Sequence, residues 1–70
     1  MASRYIECNS RKILRRLRNE GWVVVNIEGS HHKMKHPDRL YPIVVPHPKR
    51  DLPIGTARAI AKAAGWLEKS

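Results

Sequence analysis

The stretch "GSHHKMKHP", Gly29 to Pro37, holds three of the chain's four histidines together with Lys33 and Lys35, between two apolar runs. An imidazole ordinarily titrates near 6.5 and so exchanges protons at neutral pH. RNA can be cut without metal if a base takes the proton of a ribose 2′-OH, which attacks the adjacent phosphate, while cations stabilise the charge that grows there. A histidine flanked by lysines offers both ingredients. On a strand, side chains alternate, so His31, Lys33 and Lys35 share one face and His32, Met34 and His36 the other. Met34, the one apolar member, marks the face turned to the core, which places His31 with the lysines on the open face. Two other readings remain open on spacing alone. His32, His36 and His47 could approach a metal, but three or four converging ligands are needed and no carboxylate or thiolate lies nearby. The whole stretch could equally be a solvated strand face, and His36 and His47, each followed by proline, could serve turns or surface contacts.

The elements that must position these residues follow from periodicity. "NSRKILRRLRNEG" reads as a helix capped by Asn9 or Ser10 and stopped by Gly21. Ile13, Leu14 and Leu17 form its apolar stripe; Arg11, Lys12, Arg15, Arg16 and Arg18 cover the rest. "WVVVNIE" is rich in β-branched residues and reads as a strand, with Val23, Val25 and Ile27 on the core side. Gly29 and Ser30 form the turn that presents the histidines, and "HHKMKH" returns antiparallel. After "PDRL", "YPIVVP" supplies a third strand, whose prolines suit an edge, with Ile43 and Val45 facing inward. "HPKRDLP" is a connection. A final helix around "IGTARAIAKAAGW" turns Ile54, Ile60, Ala61 and Ala64 to the sheet and ends at Gly65. The expected fold is α+β, in the order α-β-β-β-α, with a three-stranded antiparallel sheet carrying both helices on one face.

Seventy residues make one domain, 1–70, with a thin core and little room to enclose a large cofactor. Residues 1–8 are expected to be a flexible extension. A formal charge of +8 favours a polyanion, with nucleic acid first. Charge alone also admits an acidic protein, whereas a membrane surface would ask for a basic helix with bulky apolar residues opposite. Cys8 is the one cysteine, so the chain forms no internal disulfide. "MASRYIECNS" lacks the apolar run of a signal peptide, and no segment is long enough to cross a bilayer, so a cytoplasmic location is expected.

Three motifs in fixed order, "GSHH", "VPHP" and "LPIGT", preceded by "SRKILRRLRNEGW", resemble the HicA-type toxins of bacterial toxin-antitoxin systems, from Ser10 to Trp66. The resemblance implies a fold similar to double-stranded-RNA-binding domains and an mRNA interferase that needs no metal or other cofactor. It also implies a HicB-type antitoxin that covers the active site, and a catalytic histidine just after the Gly-Ser pair, which falls on His31. His32 is then a possible auxiliary residue. Lys33 and Lys35 would orient phosphate, and Arg15, Lys49 and Arg50 would hold RNA. The alternative is a basic module of double-stranded-RNA-binding type that holds RNA without cutting it. The last helix is richer in alanine than such toxins often are, a difference that bears on the core more than on activity.

Overall fold

The computed structural model of the chain describes residues 6–67. Its elements are α1 (Ser10–Asn19), β1 (Val23–Glu28), β2 (His31–Lys35), β3 (Ile43–Pro46) and α2 (Ile54–Ala63). The strands form one antiparallel sheet in the order β1-β2-β3, so the expected α-β-β-β-α architecture is the one observed. Residues from both helices, Ile13, Leu14 and Leu17 with Ala57 and Ile60, and Ala64 at the C-cap of α2, join Met34, Ile43 and Val45 in one core. Met34 and Ile43 are cross-strand partners, so the helices cover a single face of the sheet.

Local chemistry explains the ends of α1. Asn9 is the N-cap: its Oδ1 accepts from the backbone N–H of Arg11 at 3.0 Å and of Lys12 at 3.3 Å. That leaves Ser10 free for other work. At the far end, Gly21 takes φ +100°, its N–H donates to Arg18 O, and Trp22 N–H donates to Leu17 O. This is a Schellman closure with an apolar residue after the glycine. α2 ends the same way, Gly65 N–H donating to Lys62 O and Trp66 N–H to Ala61 O. The paired "GW" dipeptides thus stop both helices and deliver an indole to the edge of the core. A Cβ on Gly21 would come within 2.9 Å of His36 Nε2, so this position is closed to side chains twice over, by φ and by space.

The sheet corrects three assignments of the sequence reading. Val23 and Val25 do not face the helices: they are 58% and 52% exposed, and Val23 pairs with Lys35 on the outer face. Trp22 and Val24 turn inward instead, Trp22 being buried and Val24 packing against the core. A bulge then intervenes, because Val24 opposes Met34 while Asn26 opposes Lys33, which leaves Val25 as the extra residue. The bulge resets the alternation, so Ile27 returns to the helix side opposite His32, yet beyond the helices it stays 55% exposed. Ile54 is likewise exposed at the first turn of α2, and Leu52, in the connection before it, is buried in its place.

Of the extension expected over 1–8, residues 1–5 lie outside the described residues. Residues 6–8 are tied down rather than free: Ile6 and Cys8 pack on the core, and Leu52 N–H donates to Cys8 O at 2.8 Å. At the other end, Arg16 binds Glu20 at 3.1 Å and lies 4.2 Å above the Trp66 ring, whose Nε1–H donates to Glu20 Oε1. This exposed cluster links α1 to the segment after α2.

The phase of β1 is open to a direct check by urea denaturation. Trp22→Ala should cost about 3–5 kcal/mol, as for other buried aromatics, whereas Val23→Thr should stay within about 0.5 kcal/mol. A large loss at Val23 would restore the phase read from alternation.

Candidate active site

The two adjacent histidines of β2 go to opposite faces, as alternation requires. His31 is exposed, between Glu28 on β1 and Pro46 on β3, and shares the outer face with Lys33 and Lys35. The expected grouping of His31, Lys33 and Lys35 is therefore present. It lies on the face away from the helices, with a carboxylate, Glu28, as the cross-strand partner of His31.

His32 opens onto different surroundings. It lies on the helix side, paired with Ile27 and Val45, past the point where the apolar core ends. There it lines a hollow of about 300 Å³ with His47, Leu14, Asn19 and three arginines of α1, Arg11, Arg15 and Arg18. These arginines follow the spacing i, i+4, i+7 and so form one stripe of the helix. A second hollow shares Arg11, Arg15 and His47 and continues past Lys12, Lys49 and Arg50. Together they make a basic groove along α1, and the described lining carries no carboxylate. Three of the expected RNA-binding residues, Arg15, Lys49 and Arg50, meet here; Lys33 and Lys35 do not. Gly29, at φ +56°, and Ser30 form the two-residue turn that sets the register of β2.

His47 is fixed at three points. Its backbone N–H donates to Ser30 O at 2.6 Å, anchoring it to the β1–β2 turn. Its Nδ1 is hydrogen-bonded to Ser10 Oγ at 2.7 Å. Its ring meets that of His32 edge to face, centroids 5.0 Å apart. Ser10, only 1% exposed, also accepts from the Lys49 N–H at 2.8 Å, while its own N–H donates to Lys49 O. Nδ1 of His32 is buried and has no hydrogen-bond partner among the described residues.

His36 is committed elsewhere. Its Nδ1 accepts from Asp38 N–H at 2.9 Å, which leaves Nε2–H to donate to Glu20 O at 2.8 Å, and its ring rests against Trp22. It closes the gap between α1 and β2, far from His32 and His47 in role. Among the described residues, no group of three His, Cys, Asp or Glu could hold a metal ion.

The sequence reading weighed His47 only as a metal ligand or turn residue and Ser10 only as a cap, and it picked out Arg15 alone among the arginines of α1 as a site residue. "VPHP" carried a signal: prolines on both sides restrict the backbone of that histidine. The charge pattern of α1 carried another. Its first turn holds Arg11 and Lys12 and no acid, the reverse of what the helix dipole favours, at about 0.3–1 kcal/mol per charge. A helix that opposes its own dipole in this way concentrates positive potential where an anion can use it.

Burial, and then the neighbouring His32, Arg11 and Arg18, hold the pKa of His47 below its ordinary 6.5. The unfolded chain thus binds this proton more readily than the native one. Its contribution to stability is present above about pH 6.5 and is lost as pH falls through the lowered native value. A histidine NMR titration of the native protein should therefore place the His47 midpoint under 6.5. A midpoint at or above that value would contradict the geometry.

A family model for the HicA toxin of bacterial toxin-antitoxin systems matches residues 10–66. No curated protein matches the chain.

Proposed function

The chain belongs to the HicA toxins of bacterial toxin-antitoxin systems, and we propose that it acts as an endoribonuclease that cuts messenger RNA without metal, with His32 moving a proton in the reaction. The observation that carries this reading is the groove in which His32 and His47 face the arginines of α1 with no carboxylate among the described lining. Such a groove attracts a phosphodiester backbone by displacing its counterions. It also keeps acid–base groups and cations within reach of one phosphate, which is what attack by a 2′-OH demands.

We thus propose His32 as the catalytic histidine in place of His31, the residue that the resemblance implies. His31 shares the outer face with Lys33 and Lys35 and pairs with Glu28, whereas His32 lines a hollow with the stripe of Arg11, Arg15 and Arg18 and a second imidazole. Lys33 and Lys35 act at long range on the far face. Arg15, Lys49 and Arg50 keep their proposed part in holding RNA, joined by Arg11 and Arg18.

Membership in a toxin-antitoxin family implies an antitoxin. We propose a HicB-type protein that covers the groove with acidic residues, since opposite charge speeds association and excludes RNA. Addition of such a partner should block cleavage in vitro; cleavage at full rate in the saturated complex would place its contact elsewhere.

Incubation of the purified protein with labelled single-stranded RNA in EDTA tests the reaction. The expected result is cleavage that falls ~10²- to 10⁴-fold in His32→Ala, with RNA affinity largely retained and His31→Ala close to wild type. Loss in His31→Ala with activity kept in His32→Ala would return the role to the outer face. Binding without cleavage by the wild-type chain would make the protein an RNA-binding module.

A further inference from the structure

Cleavage by 2′-OH attack needs two proton transfers, and the proposed function assigns a residue to only one site of exchange. We propose that His47 is the second catalytic residue, the general base that takes the 2′-OH proton, with His32 as the acid that protonates the leaving oxygen and Ser10 as the residue that positions His47. The inference rests on the ribonuclease reading above and adds to it a division of labour.

The geometry supports a pair. The two rings are 5.0 Å apart between centroids and line the same basic hollow, so one phosphodiester can lie against both. Of the two, His47 is the more tightly oriented. Ser10 Oγ has two lone pairs: one accepts Lys49 N–H, and the other can accept Nδ1–H of His47 at 2.7 Å. An acceptor at Nδ1 serves the neutral ring and the cation alike. Nε2 then presents a lone pair before the reaction and a proton after it, with no change of tautomer. The burial of Ser10 and its two further bonds with Lys49 make this a fixed support and not a surface contact.

The groups around His47 also suit a base. The hollows it lines bring Arg11, Lys12, Arg15, Arg18 and Ser10 from α1, His32 from β2, and Lys49 and Arg50 from its own segment. Burial and the nearby positive groups lower the pKa of the ring from its ordinary value, the direction that suits a proton acceptor.

In the step itself, Nε2 of His47 takes the 2′-OH proton, and the oxygen's electron pair forms a bond to the adjacent phosphorus. The bond from phosphorus to the 5′ oxygen breaks, its electron pair leaves with that oxygen, and the His32 imidazolium supplies the proton. The products are a 2′,3′-cyclic phosphate and a 5′-OH. His47 has gained one proton and His32 has lost one, so solvent exchange resets the pair.

The test uses the full chain, labelled RNA in EDTA, and the same RNA with sulfur in place of the 5′ oxygen at the bond that the wild type cuts. Sulfur leaves without protonation, so it should restore most activity to His32→Ala and none to His47→Gln. On ordinary RNA, His47→Gln should lose ~10²- to 10⁴-fold in rate and the acidic limb of the pH–rate profile, with RNA affinity within a few-fold of wild type. Ser10→Ala should lower kcat and shift that limb while leaving KM near its original value. Wild-type activity in His47→Gln, or rescue of that variant by sulfur, overturns the assignment. Should His47→Gln fail to fold, the wild type decides: its acidic limb must coincide with the NMR midpoint of His47, and a mismatch overturns the proposal. Absence of any cleavage by the wild type fails at an earlier stage and removes the ribonuclease reading together with it.

Discussion

One buried hydroxyl holds the functional end of the molecule together. Ser10 Oγ sits at the first residue of α1, accepts from the backbone of Lys49, and is hydrogen-bonded to the ring of His47. Through His47 the constraint reaches Ser30 and hence the start of β2, because the His47 backbone N–H donates to Ser30 O. Three segments distant in sequence, the start of α1, the β1–β2 turn and the loop after β3, are thereby fixed to one another by polar bonds. This matters in a chain of 70 residues, whose core is too thin to dictate the position of every loop. The apolar contacts of Leu17, Met34 and Val45 decide that the helices lie on the sheet. The hydroxyl ties the start of α1 to the His47 ring and to the backbone of Lys49.

The division between α1's two ends follows from the same economy. Asn9 takes the capping role, so Ser10 need not. Arg11, Arg15 and Arg18 point into the groove, while Arg16 turns to Glu20 and the face of Trp66. The exposed ion pair is worth little by itself. Joined to a cation–π contact and the Trp66 indole N–H bond, it marks the side of the helix given to holding α2's end in place.

Most of the fold was legible in the sequence because its signals are local. Gly21 and Gly65 end the helices, Gly29 and Ser30 form the hairpin turn, and Ile13, Leu14 and Leu17 define a stripe at helical spacing. The error over Val23 and Val25 arose because β-branched residues cover both faces of β1, so composition gave no phase, and the bulge at Val25 breaks strict alternation. Trp22, just before the strand, was the better guide, since a large indole seeks burial. The candidate site was half legible. Alternation sorted His31 from His32, but the value of each face depends on what α1 and the loop after β3 bring to it, and the bond from Ser10 to His47 spans 37 positions. No local pattern encodes such a contact.

The bulge has a bearing on how the protein behaves among copies of itself. Among the described residues the three-stranded sheet has two open edges, and Val23, Val25 and Val44 are exposed to solvent. Strands of that composition invite further strands to join them. On one edge, the unpartnered Val25 breaks the regular row of donors and acceptors in β1; on the other, β3 is only four residues long and ends in Pro46, which has no N–H to offer. Both borders are thus irregular templates for the addition of a further strand.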